Sequence, residues 1–208
     1  MTVQQVYEKY STPKNLQEHM LRVAALSKII CDNWTGKNIN GSAIIIACLL
    51  HDIAKPMKFD ITKQSGFGMP QDEILKLEKL QKFIKDKYGD DEHTNTIGMS
   101  KDVGIKEDSI QIIENLEWKY TNRLLTENDT ESLIAVYCDR RVGPKGVLSL
   151  QQRLDDLKVR AMVDYYDDYV KNGEILEMTL QEFVSVKLNS ITDENLNPYF
   201  PGLLNLQI

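Results

Sequence analysis

Residues 43–54 read AIIIACLLHDIA, an unbroken apolar run from Ala43 to Leu50 that ends directly in His51 and Asp52. Such a run suits a buried strand as well as a buried helix, so its surroundings must decide. Upstream, Leu16, Met20, Val23, Ala24, Ser27 and Ile30 recur at three- and four-residue spacing behind Thr12 and Pro13. That is a capped amphipathic helix, roughly 14–34. Downstream, Leu75, Leu77, Leu80, Phe83 and Ile84 stand among Lys and Glu in a further surface helix over 72–87. With helices on both sides, residues 43–54 are predicted to be a buried helix capped by Ser42, and the fold class is all-α.

Shorter helices are expected near 92–101 and 107–117. Asp129 and Thr130 cap another through Leu133, Ala135, Val136 and Cys138, which should stop at Gly143 and Pro144. Ser149 with Gln152, and Thr179 with Glu182, fit the Ser/Thr-x-x-Glu/Gln capping box and predict helices over 150–171 and 180–190. Residues 191–208 read as a partly irregular tail whose apolar cluster caps the core or pairs with another subunit. Residues 56–71 lack periodicity and hold Pro56, Gly66, Gly68 and Pro70, which predicts a long loop. Phe59 and Phe67 in it could close as a lid over the base or leaving group. No internal repeat and no Asn-Gly or Asp-Gly hairpin is found.

With 208 residues, 42% hydrophobic and 27% charged, and only 11 Gly and 6 Pro, the chain suits one well-buried soluble core rather than disorder or low complexity. Lys and Arg number 25 against 31 Asp and Glu, a net charge of -6. That balance argues against non-specific nucleic-acid binding, so any anion must be met locally. The longest apolar run is too short to span a bilayer, and the first residues have no signal-peptide pattern, so a cytoplasmic location without membrane contact is expected. Cys31, Cys48 and Cys138 are odd in number and far apart, as suits reduced core thiols.

The chemistry is concentrated in few residues. His19 and His51 stand in largely apolar helical segments, and a lone histidine there is ordinarily a satisfied core residue. Carboxylates change the reading. Asp52 ends the most hydrophobic segment of the chain, and Asp139 follows Ala135, Val136 and Cys138 near the end of its own apolar helix. An unpaired buried carboxylate is costly. Two imidazoles and two carboxylates are reconciled by a shared divalent metal, and a mixed nitrogen and oxygen set with open positions favours Mn, Fe, Co, Ni or Mg over a closed structural zinc.

These residues resemble the HD-domain superfamily of metal-dependent phosphohydrolases, whose pattern is a helical His, a His-Asp doublet and a distant Asp. Here they are His19 in QEHMLRVA, His51 and Asp52 in LLHDIAKP, and Asp139 in AVYCDRRVG. The resemblance covers roughly 14–160 and is nearest the HDIG-like subgroup, with Ala54 where that motif has Gly. It implies a helical bundle over 1–160 with a helical C-terminal extension, 161–208, packed on the same core. It further implies one metal held by His19, His51, Asp52 and Asp139, and hydrolysis of phosphate esters, often of nucleotides. Lys55 and Pro56 replace the acidic pair of the alarmone hydrolases, and the chain lacks the added histidines of dinuclear members.

A bound divalent ion polarises a phosphoryl oxygen and makes a water acidic enough to attack near neutral pH. Lys55, Arg22 and Arg140 each lie within a turn of a proposed ligand and are the candidates for holding phosphate oxygens; alternatively, they neutralise the carboxylates or reach solvent. Asp52, Lys55 and His93 are the catalytic candidates, with His93, in DDEHTNTIG, able to protonate the leaving oxygen, contact phosphate or join a second metal. Arg141, Lys145 and Arg153 around Gly143 either extend an anion-binding rim or form a solvated face. Asp164, Asp167 and Asp168 among Tyr165, Tyr166 and Tyr169 read as an acidic outer face and an aromatic packing face. The expected activity is metal-dependent hydrolysis of a small phosphorylated metabolite or nucleotide, monoester or diester. The alternatives are a non-catalytic module that binds a nucleotide or keeps the metal as a staple, and a metal-free interaction protein. Homo-oligomerisation is left open.

Overall fold

Residues 43–50 take the helical alternative, whereas 51–54 leave the helix as a turn. In the computed structural model, which describes residues 1–67, 69–144, 146–160 and 166–208, residues 43–50 lie in helix α3, Gly41–Leu50, with Ala43, Ile44, Leu49 and Leu50 buried. Its cap is Asn40 rather than Ser42: the Asn40 side chain accepts from the Ala43 N–H at 3.1 Å. Each leucine or isoleucine so buried contributes about 1.5–3 kcal/mol, which is why an all-round apolar helix sits at the centre.

Around α3 stand α2 (Lys14–Asp32), α7 (Glu107–Asn115) and α9 (Thr130–Arg141), and α2 also packs against α9. The three elements bearing the predicted ligands are therefore mutual neighbours. Beside them lie α5 (Gln71–Tyr88) and α6 (Glu92–Val103). Asp129 caps α9 as expected, its side chain accepting from the Ser132 N–H at 3.1 Å. Pro13, not Thr12, occupies the cap position of α2.

Two helices carry no strong periodic signal and were not expected: α1 (Val3–Lys9), with a capping box from Thr2 and Gln5, and α8 (Thr121–Glu127), which follows a 3₁₀ turn at Trp118–Tyr120. The segment 56–71 is not featureless either. It winds through 3₁₀ turns at Lys55–Lys58 and Ser65–Phe67 and the short helix α4 (Ile61–Gln64). After α9 the chain makes a small antiparallel hairpin, β1 (Val142–Gly143) paired with β2 (Gly146–Val147). Gly146 supplies the left-handed φ of +138° that this tight return needs.

The Ser149 box forms: the Gln152 N–H meets Ser149 Oγ at 3.1 Å, and the Ser149 N–H meets Gln152 Oε1 at 2.9 Å. It opens α10 (Leu150–Arg160), whereas the predicted helix 180–190 is absent. Instead α11 runs Tyr166–Gln181 straight through Thr179. Leu176 and Leu180 are buried on one face of α11, and that burial outweighs the capping preference of Thr179. Beyond Gln181 the side-chain amide of that residue donates to the carbonyls of Val184 and Val186, which stops the helix and shapes the turn. Residues 191–208 fold into α12 (Asp193–Leu196) and α13 (Phe200–Leu204), which pack on α2, with Leu196 and Leu203 in the core. The acidic and aromatic faces expected at 164–169 lie outside the described residues, as do Lys145 and the side chain of Phe67. No described helix is long and apolar enough to cross a membrane.

Candidate metal centre

His51 ends α3 with helical backbone angles, and its Nδ1 lies 2.8 Å from the Cys48 carbonyl oxygen one turn back. A carbonyl only accepts, so Nδ1 carries a proton, and Nε2 is the nitrogen that offers a lone pair once the imidazole is neutral. Nε2 is buried and makes no hydrogen bond, although Asp139 Oδ1 lies 3.3 Å away and Asp52 Oδ2 3.6 Å away. His19, on α2, brings its Nε2 to 3.1 Å from Asp139 Oδ1 and 3.6 Å from Asp52 Oδ2. Thus four polar atoms from three helices converge, and the donor atoms of His19, His51 and Asp139 all lie within 4.8 Å of one another.

The electrostatics follow from this crowding. Burial disfavours a charged His51, but Asp52 and Asp139 outweigh it and raise the imidazole to about 9. Burial also pushes the Asp139 carboxyl up, yet the two adjacent imidazoles of His19 and His51 hold it well below the usual carboxylate range. The cluster therefore favours positive charge at its centre. An orphaned buried imidazole nitrogen whose other nitrogen is anchored to a carbonyl, facing carboxylates, is the donor set a divalent ion requires. The residues present fit one metal.

Lys55 Nζ donates to Asp52 Oδ2 at 2.7 Å. Burial opposes the Lys55 charge, but Asp52 and Asp139 raise its pKa above the ordinary lysine value, so it acts as a cation and not as a base. Above these groups opens a cavity of 350 Å³ lined by His19, Arg22, Asp52, Lys55, Phe59, Arg153 and the hairpin residues Val142 to Pro144. Phe59 is thus the member of the 56–71 segment that reaches the site. Arg22 is fixed at the cavity wall by Asp193 of α12, whose Oδ1 accepts from Arg22 Nε at 3.0 Å. Asp193 Oδ2 also accepts from the Val147 N–H at 3.0 Å, so one carboxylate clasps two walls together.

The structure separates the other candidates. Arg140, 6% exposed, lays its guanidinium over the Trp118 ring and lines a smaller cavity of 130 Å³ beyond Asp139, not the larger one. Arg141 is no part of an anion-binding rim: it is fully buried and bonded to backbone carbonyls. His93 Nε2 faces the Glu114 carbonyl oxygen at 3.2 Å, joining α6 to α7, and is not among the clustered donors. Its neighbour Glu92, which the sequence reading passed over, is the acid that feels the centre. Burial and the charge of Asp52 raise its carboxyl above the usual range. The signal available for it was the acidic run before His93. A roomier apolar groove of 630 Å³ between α2, α3 and α13 lacks histidine and carries none of this chemistry.

Comparison with known families agrees with this geometry. Residues 16–140 match the model of the HD domain, a span that contains His19, His51, Asp52 and Asp139. No curated protein and no solved structure matches the chain. With more than half of its length matched, the chain belongs to the HD-domain family, within the superfamily of metal-dependent phosphohydrolases.

Proposed function

We propose that the protein hydrolyses a phosphate ester of a small metabolite or nucleotide, with one divalent metal held by His19, His51, Asp52 and Asp139. The observation that carries this reading is the buried, unbonded Nε2 of His51, 3.6 Å from Asp52, whose side chain lines a cavity together with Arg22 and Lys55. When bound, the ion supplies Lewis acidity toward a phosphoryl oxygen and toward the attacking water.

The chain's own residues supply the rest. Lys55 bridges Asp52 and the cavity, so its ammonium both fixes that carboxylate and faces the phosphoryl oxygens. Arg22, held through Nε by Asp193 and through NH2 by Glu18, lines the same space with its guanidinium. His93 serves the join of α6 to α7. Phe59 gives the cavity an apolar side that limits water and contacts the organic part of the ester.

The test is a screen of phosphomonoesters and diesters with protein reconstituted with Mn, Co, Ni, Fe or Mg, beside Asp52→Ala and with metal content measured on both. The expected outcome is turnover that falls by at least about a thousandfold in the variant together with its metal. Undiminished hydrolysis by folded Asp52→Ala overturns the reading. Stoichiometric metal without turnover of any ester overturns it in favour of a nucleotide-binding or metal-stapled module.

A further inference from the structure

The 3₁₀ turn Lys55–Lys58 leads from the metal centre to Phe59, and a single 3₁₀ turn has little stability of its own. Its two ends are anchored to different bodies. At the start, Lys55 is tied back to Asp52, by its ammonium at 2.7 Å and by its N–H to the Asp52 carbonyl at 2.9 Å. At the far end the anchor is Gln81 of α5, whose side-chain Nε2 donates to the Phe59 carbonyl at 2.7 Å and to the Pro56 carbonyl at 2.9 Å. Between them, the fully buried Asn95 of α6 brings its Nδ2 to 3.2 Å from Met57 Sδ and donates to the Gly89 carbonyl at 2.9 Å. Lys58 adds an exposed contact, Nζ to the Asp90 carbonyl at 3.2 Å.

Gln81 departs from the habit of its helix. Lys76 and Lys82 of α5 are exposed and pair one turn away, with Asp72 at 3.4 Å and Asp86 at 2.8 Å, the contacts of a solvated face. A primary amide has two N–H donors, and the half-buried Gln81 directs them to carbonyls 25 and 22 residues back along the chain. Of the residues so held, 56–59, Phe59 is the one that lines the 350 Å³ cavity. An aromatic ring at a cavity wall favours a flat, apolar partner by stacking.

We infer that Gln81 is a positioning residue for substrate selection: it sets where Phe59 stands at the cavity, and through Phe59 the preference for esters with a flat apolar group over esters with a small one. The inference rests on the proposed seating of the phosphate beside Lys55. Because Lys55 is held by Asp52 and Phe59 by α5, loss of the Gln81 amide frees the apolar wall and leaves the phosphate-facing end in place. Selection is then separable from phosphate binding, a separation that a merely structural hydrogen bond would not produce.

Calorimetric titration of metal-loaded protein with phenylphosphonate and with methylphosphonate, which share one anion and whose P–C bonds resist hydrolysis, reads selection without turnover. The parent should prefer the phenyl compound by about tenfold or more. Gln81→Leu, of similar size but without a donor, should bind methylphosphonate within about twofold of the parent and lose most of the preference. Gln81→Glu, which sets a carboxylate against the two carbonyls, should lose it as well; a thermal melt checks that each variant is folded. Phe59→Ala should also abolish the preference, and adding Gln81→Leu to it should change nothing further, since the amide acts through that wall. Parental preference in folded Gln81→Leu or Gln81→Glu overturns the inference, as does an equal loss for both phosphonates or a full additional loss in the double variant. A parent that binds neither compound, or both alike, overturns it too. Gln81-dependent preference without turnover of any ester sinks the hydrolase reading and leaves the positioning role standing, whereas ester turnover with parental preference in Gln81→Leu sinks the positioning role alone.

Discussion

The last turn of α9 sends two neighbouring side chains into opposite circumstances. Arg141 enters a cage that the protein completes for itself: NH1 donates to Tyr137 Oη at 2.6 Å and to the Leu188 carbonyl at 2.8 Å, NH2 to the Ile191 carbonyl at 3.3 Å, and Nε to the Leu148 carbonyl. Tyr137 Oη in turn donates to Glu177 Oε2 at 2.8 Å. Asp139 enters a cluster that the protein leaves incomplete, with an imidazole nitrogen buried and unbonded beside it. Both regions bury charge and both tie distant segments together. The difference is whether the partners come from the chain. Where they do, the charge maintains the fold; where they do not, a buried polar atom stays open to a ligand.

The comparison breaks most readily at its functional half. His51→Ala should lower metal-dependent hydrolysis by at least about a thousandfold while circular dichroism stays helical; retained activity would mean that the unbonded nitrogen is incidental. Arg141→Met should do the reverse. It leaves several carbonyls unpaired in the interior, a loss of about 3 kcal/mol, seen as a melting midpoint lower by roughly 6–12 °C, with turnover per folded molecule within a few-fold of the parent. An unchanged midpoint would remove the distinction between the two regions.

A pH series sharpens it further. In metal-free protein the folded-state pKa of His51 is raised to about 9, above an unfolded value near 6.5. Its contribution to stability is therefore complete below about 6.5 and is lost as the pH rises through about 9. The melting midpoint of metal-free protein should fall by several degrees over that window, and His51→Ala should flatten this part of the profile. Metal must displace the same proton, so metal affinity should rise over the window in which metal-free stability falls. The smallest effect is expected from Asp193→Asn, which weakens the orientation of Arg22: a KM raised about threefold with kcat little changed. A change in kcat instead would place Arg22 in the chemical step.

How much of this could be read in advance depended on where each residue finds its partner. The convergence of His19, His51, Asp52 and Asp139 was legible because an apolar helix cannot hold a carboxylate without compensation. The central helices were legible for the same reason, their apolar faces being long and periodic. Arg140 and Arg141 are adjacent and identical in type, and nothing local says that one meets Trp118 and the other a ring of carbonyls. The helix through Thr179 hid behind a sound local capping signal that burial of Leu176 and Leu180 overrode. The hairpin at 142–147 rests on Gly143 and Gly146 with Asp193 pressed against the turn, a contact made from far along the chain. Glu92 owes its raised carboxyl to burial and to the charge of Asp52 on another element, against the opposing pull of Lys55.

The clasp at Asp193 also sets a schedule. Arg22 and Asp193 are 171 residues apart, and at about 5–20 residues per second of synthesis the partner follows by roughly 10–30 seconds. For that interval α2 and α3 can pair, while the wall formed by Arg22 and the hairpin has no carboxylate to hold it. The α2–α3 pair thus precedes the pocket in synthesis, and a ribosome stalled before α12 would hold a chain whose site is unlatched and whose core still lacks Leu196 and Leu203.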